Sequence, residues 1–195
     1  MTRNSIRMDG GGRLAGLLRA CLILLPVLVA APVAALDTLY LVRHAEKAAG
    51  WPPEQDALQP LSAAGTLRAE FLASRLESAG IKAIYASPTT RTLSTGLPLA
   101  LRTGVRLTAV EDSIKADRMG PFLAGLRTAH ANDPAVLVVA HSNTVPRLLT
   151  LLGAVPECFE RLGIVRRGDE LLIEGYEGLW KVDLRRQGCE ALTRE

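Results

Sequence analysis

A three-layer α/β/α sandwich around a mostly parallel sheet is the fold that this 195-residue sequence predicts, and three observations predict it. Short apolar runs alternate with amphipathic helical segments from residue 38 onward, the pattern of a sheet covered on both faces. Two of the three histidines, His44 and His141, directly follow such runs. Residues 36–195 carry no repeat or low-complexity linker, and a chain of about 160 residues can close one sizeable core. Aromatic residues are 4% of the chain, so that core is expected to be mainly Leu, Val, Ala and Ile.

The first strand is expected over 38–43, followed by a proline-rich loop over 48–61. Ser62 reads as the N-cap of a helix to about Ser78, with Leu67, Phe71, Leu72 and Leu76 on its inward face and Gly80 as its stop. A strand over 81–86 and a helix over 88–102 follow, the latter opened by Pro88. Val105–Val110 reads as a third strand, then a loop with Glu111 and Asp112, then a helix over about 120–131. The run 135–140 is a fourth, buried strand, and Asn143–Leu152 a helix that tolerates Pro146 in its first turn. Glu170–Ile173 and Leu179–Asp183 are expected to close the domain as a hairpin around Gly175–Gly178.

Residues 1–35 have the pattern of a secretory leader. Arg3, Arg7, Arg13 and Arg19 precede an apolar core from Leu22 to Ala31, and Val33-Ala34-Ala35 offers small residues for cleavage before Leu36. An uncleaved anchor is the alternative, although the apolar stretch is shorter than the ~20 residues of a spanning helix. The expected location is secreted or periplasmic, with no stable membrane insertion once the leader is cleaved. The formal net charge of +3 belongs to the leader, because four of the 23 basic residues and only Asp9 of the 20 acidic ones lie within it. The remaining chain has 19 of each sign, so no basic stripe speaks for a nucleic-acid partner. Cys158 and Cys189 remain as an even pair, either bridged in an oxidising compartment or free.

The chemistry concentrates in three segments. In Leu41-Val42-Arg43-His44-Ala45-Glu46 an apolar strand delivers an arginine and an imidazole straight into a turn. A guanidinium forks onto phosphate oxygens and a ring nitrogen can attack phosphorus, so the pair suits phosphoryl chemistry. Val139-Ala140-His141-Ser142-Asn143 repeats the strand-to-histidine pattern, and Ser87-Pro88-Thr89-Thr90-Arg91-Thr92 brings a second arginine to the start of a helix. In an open α/β sheet the carboxyl ends of the strands and the following helix N-termini meet in one crevice, where these residues would converge.

In these three segments, in this order, and over residues 37 to 153, the chain resembles the histidine phosphatase superfamily, which includes phosphoglycerate mutases and many small phosphatases. The resemblance implies a phosphoglycerate mutase-like fold with His44 as nucleophile, forming a phosphohistidine that water then hydrolyses. It implies that Arg43, Arg91 and His141 bind the phosphoryl oxygens of the substrate. It also implies a carboxylate just past the third strand as general acid, which points to Glu111 or its neighbour Asp112. Glu46 follows His44 too closely to face a leaving group and is expected to orient the loop, while Arg147 reads as a surface charge and His130 as a helix-end residue.

Other phosphoryl chemistries lack their residues. The positions six after Cys21, Cys158 and Cys189 are Val27, Ile164 and Glu195, so there is no cysteine-phosphatase loop. There is no Asp-x-Asp motif, no Gly-x-Ser-x-Gly elbow and no Gly-x4-Gly-Lys loop. No histidine has metal-type spacing, so neither metal nor cofactor is expected. The reading is a phosphatase acting on a phosphorylated substrate; the alternatives are a phosphomutase and a catalytically weak phosphate- or phosphoprotein-binding module. Sequence leaves the substrate and the oligomeric state open.

Overall fold

The computed structural model describes residues 36–195, and the expected leader lies outside them. The strands are β1 (Thr38–Arg43), β2 (Ile81–Ala86), β3 (Leu107–Ala109), β4 (Ala135–Ala140), β5 (Ile164–Arg167), β6 (Glu170–Ile173), β7 (Leu179–Asp183) and β8 (Leu192–Arg194). The helices are α1 (Ala63–Leu76), α2 (Thr90–Thr103), α3 (Met119–Ala129), α4 (Thr144–Leu151) and the single turn α5 (Phe159–Leu162). Six strands form the main sheet in the order β3-β2-β4-β1-β7-β8. β1 to β4 run parallel, and β7 and β8 add an antiparallel edge.

Strand alternation sorts the core into two layers. Val136, Val138 and Ala140 of β4 pack with Met119, Phe122 and Leu148, from α3 and α4. Ala135, Leu137 and Val139 point the other way, onto Ala73 and Leu76 of α1 and Leu99 of α2. All six residues of β4 are buried, as a central parallel strand covered by helices requires. This is the predicted three-layer α/β/α arrangement, and both strand ends that carry histidine lie at the middle of its sheet.

Three local expectations are corrected. Glu170–Ile173 and Leu179–Asp183 are strands with the predicted bounds, but they do not pair: β6 joins β5 in a separate two-stranded sheet, and β7 joins β1 and β8. The pairing is non-local, with β7 completing the backbone bonds of β1 across the sheet, which a hairpin reading cannot anticipate. Leu67 and Phe71 are 72% and 61% exposed, not inward. α1 instead buries Gly65, Ala69, Ala73 and Leu76, and the small size of Gly65, Ala69 and Ala73 lets it lie close against the sheet. A Cβ on Gly65 would collide with the carbonyl of Glu46, so glycine is required for α1 to approach the loop after β1. The third strand is shorter than expected, Leu107–Ala109, and the proline-rich loop contains a 3-10 turn over Pro53–Leu58.

Ser62 caps α1 as expected, its Oγ accepting the Gly65 N–H at 3.0 Å. Cys158 and Cys189 are joined in a disulfide that ties the segment after α4 to the tail before β8. No helix among the described residues is long and apolar enough to cross a membrane.

Candidate active site

Parallel pairing of β1 with β4 sets Arg43 opposite Ala140, so the two strands release His44 and His141 side by side. The His44 N–H continues the ladder onto the Ala140 carbonyl at 2.9 Å, and the two rings stand edge to face with centroids 5.2 Å apart. His44 is only 5% exposed, at the floor of a cleft enclosing about 640 Å³. Its Nδ1 lies 2.8 Å from the Ala45 carbonyl, which can only accept, so Nδ1 carries the proton and Nε2 keeps its lone pair. Burial chiefly, then the fields of His141, Arg91 and Arg43, lower the pKa of His44 to about 3 against the opposing pull of the Ala45 bond. The ring is therefore neutral at physiological pH, the state that a nucleophile needs.

His141 is oriented by a second set of contacts. Its Nε2 meets Ser87 Oγ at 2.7 Å and its backbone N–H donates to Thr144 Oγ1 at 2.8 Å. Ser87 is fully buried and pairs with Thr92 Oγ1 at 3.0 Å, so the Ser-Pro segment after β2 positions the imidazole rather than the substrate. Burial and the Arg91 charge lower the His141 pKa to about 4. Thr95 Oγ1 accepts the Ala45 N–H at 3.0 Å and thereby fixes the loop that follows His44.

Arg43 and Arg91 flank the imidazoles and line the cleft. Arg43 Nη1 donates to the Gly175 carbonyl at 2.8 Å, and its guanidinium stacks 4.1 Å from the centroid of Tyr176. Arg91 is 7% exposed, on the first turn of α2, and both its terminal nitrogens are held by Asp56. Among the described residues the Nε atoms of Arg43 and Arg91 are buried without a partner. Such orphan donors cost about 1–3 kcal/mol each while they lack an acceptor.

The remaining candidates separate. Glu46 accepts a bidentate pair from Arg68 of α1, Nε to Oε2 at 2.8 Å and Nη2 to Oε1 at 2.6 Å, and so braces the loop after β1. Glu111 follows β3 as expected, but its carboxylate takes Lys115 Nζ at 2.7 Å, is 65% exposed, and is not among the groups lining the cleft. Asp112 is likewise turned to a surface arginine, Arg118, at 3.5 Å. Arg147 is exposed, and His130, at the end of α3, bridges Asp133 and the Tyr85 hydroxyl. The carboxylates that do line the cleft are Asp56 and Glu170, neither of which sequence singled out. Asp56 lies in the proline-rich loop after β1, and Glu170 reaches the site through the β5–β6 sheet, whose Ile173 N–H docks on the Ser142 carbonyl at 2.8 Å. Among the described residues no group of three or more His, Cys, Asp or Glu is placed to hold a metal ion.

Comparison with known proteins finds the same fold. Solved structures with the same fold include SixA of Agrobacterium tumefaciens, designated a phosphohistidine phosphatase. It is 20% identical, with a TM-score of 0.60 over 81% of this chain and 94% of that one. A mycobacterial glucosyl-3-phosphoglycerate phosphatase, solved with inorganic phosphate, is 17% identical, with a TM-score of 0.58 over 82% of this chain and 94% of that one. No curated protein sequence matches the chain. Residues 39–114, from β1 to the turn after β3, match the family model of the histidine phosphatase superfamily (branch 1). The chain thus carries the superfamily's sequence pattern over residues 39–114 and the fold of those two phosphatases over 81–82% of its length.

Proposed function

We propose that the protein hydrolyses phosphate monoesters through a phosphohistidine formed on His44. The observation that carries this reading is the fixed, neutral tautomer of His44, its Nε2 lone pair held at the cleft floor among Arg43, Arg91 and His141. The two guanidiniums and the His141 ring offer the positional and electrostatic stabilisation that a loose phosphoryl transition state demands. Water then attacks the phosphohistidine and releases phosphate. A cleft this open favours hydrolysis over mutase chemistry, which must shield the phosphorylated intermediate from water.

The test is phosphate release by the purified chain across a panel that includes sugar phosphates, alkyl phosphates and para-nitrophenyl phosphate. A phosphohistidine peptide and glucosyl-3-phosphoglycerate belong in the panel, being named for the structural neighbours. Turnover by the parent and none by His44→Ala supports the reading; stoichiometric binding without turnover supports a phosphate-binding module instead.

We also propose that the enzyme works in the periplasm or outside the cell. The leader pattern of residues 1–35 and the Cys158–Cys189 disulfide support this, since disulfides persist in oxidising compartments. A mature N-terminus near Leu36 is the expected result; a full-length membrane-bound product would favour the anchor.

A further inference from the structure

The fork that should hold the phosphoryl group is occupied by the chain itself. Arg91 Nη1 donates to the Asp56 carbonyl at 2.6 Å and Nη2 to Asp56 Oδ2 at 2.9 Å, a two-point grip of the kind a guanidinium makes on phosphate. Lys47 adds a longer contact to Asp56 Oδ1 at 3.4 Å. The Arg91 side chain is 9% exposed and that of Asp56 50%, so the carboxylate caps a buried cation from the mouth of the cleft. His44, by contrast, is at the floor.

In-line attack from His44 drives the leaving oxygen away from the floor and toward the mouth. Of the two carboxylates that line the cleft, Asp56 and Glu170, it is Asp56 that grips Arg91, whereas Glu111 and Asp112 are turned to Lys115 and Arg118 outside the cleft lining. Resting on the monoesterase reading above, we propose that Asp56 is the general acid of this site. It yields the Arg91 fork to the phosphoryl oxygens and then protonates the leaving oxygen.

The exchange itself loads the proton. In the free site burial pushes the Asp56 carboxyl up, but Arg91 and then Lys47 outweigh it and hold the pKa below the usual range. Once phosphate oxygens take Arg91, the carboxyl loses its cation and gains an anionic neighbour, and both changes favour its protonated form. The proton comes from solvent or with a monoanionic ester. His44 Nε2 then bonds to phosphorus as the phosphorus–oxygen bond breaks, and the Asp56 proton moves to the departing oxygen, giving a neutral alcohol and the Asp56 carboxylate. In the second half water attacks phosphorus, its proton returns to Asp56, the phosphorus–nitrogen bond breaks, and His44 recovers its lone pair.

An acid matters most where the leaving oxygen is basic, so the test compares two substrates in one variant. Asp56→Asn keeps an acceptor for Arg91 but removes the proton and the charge. It is expected to slow an alkyl phosphate by about 10²-fold while leaving para-nitrophenyl phosphate within about threefold. Inorganic phosphate should also inhibit the variant at lower concentration, because a neutral amide competes less well for Arg91. Equal losses on both substrates, no loss on the alkyl ester, or a parent that turns over only the aryl ester would each overturn the role of Asp56. Those outcomes leave His44 in place. The monoesterase reading itself fails only if the parent turns over neither ester, or if His44→Ala retains the activity.

Discussion

The floor of the cleft and its rim are assembled in different ways. At the floor, His44 and His141 leave two adjacent parallel strands, β4 buried throughout and β1 buried except at its two ends, and each ring has one nitrogen fixed by a neighbour within a few residues or by the buried Ser87. At the rim, Asp56 sits on a 3-10 turn between loops, Glu170 on a two-stranded sheet, and Tyr176 in a loop beside it. The floor is held by backbone ladders, whereas the rim is held by side chains such as Arg91 and Arg43 reaching out to it. The nucleophile therefore sits on a preorganised platform, while the groups that meet the leaving portion of the substrate can exchange partners when it binds.

The largest effect expected from that contrast is at the floor. His44→Ala should leave less than about 1% of parent turnover, a barrier increase of at least about 2.7 kcal/mol, while the thermal midpoint stays close to that of the parent. Loss of fold together with activity would mean that the floor is a packing element first.

Arg91 links floor and rim, and its loss should be the next largest. Arg91→Ala is expected to cost about 10²–10³ in rate, as for removal of one preorganised donor in an oxyanion site, and to weaken inhibition by vanadate. Arg91→Lys should recover part of the rate, since an ammonium cannot reproduce two parallel bonds. Vanadate inhibition unchanged in both variants would show that Arg91 serves only to hold Asp56.

Acid should loosen the floor. His44 and His141 have folded pKa values near 3 and 4, below the ordinary 6.5, so between these limits the unfolded chain binds more protons than the folded one. Stability then rises with pH across that window and is lost as pH falls from about 6.5 toward 4. Denaturant midpoints over this range should drop more steeply in the parent than in His141→Asn. Parallel pH dependences would place His141 in a solvated setting.

The smallest effect is expected from Glu111. With its carboxylate paired to Lys115 on the surface, Glu111→Gln should change stability by less than about 0.5 kcal/mol and turnover of an alkyl phosphate by less than threefold. A selective loss on the alkyl ester would return the acid to the turn after β3.

The same division explains what could be read without coordinates. The runs 39–42 and 135–140 are continuous and apolar because both faces of the central sheet are covered, and they mark the strands that deliver His44 and His141. Three short motifs in fixed order then bring Arg43, His44, Arg91 and His141 to one edge. The rim carries no such periodicity. Asp56 matters because Arg91, thirty-five residues away, is buried beneath it, and nothing local signals that a helix-surface position will be covered. β6 and β7 were legible as strands, but their partners were not, because pairing depends on which edge each finds. Leu67 and Phe71 misled for a related reason: spacing alone fits either face of α1, and the small residues set the choice by letting the helix come close to the Glu46 carbonyl.

The most direct test of the central claim is to quench the enzyme during turnover under alkaline conditions, which preserve phosphohistidine, and map the phosphoryl group by mass spectrometry. A single phosphoryl group on the peptide containing His44, absent from His44→Ala and accumulating faster with the better leaving group, is the expected result. Phosphate released with no phosphoryl group on the chain, or with the group on His141 or His130 instead, would contradict the assignment of His44 as the nucleophile.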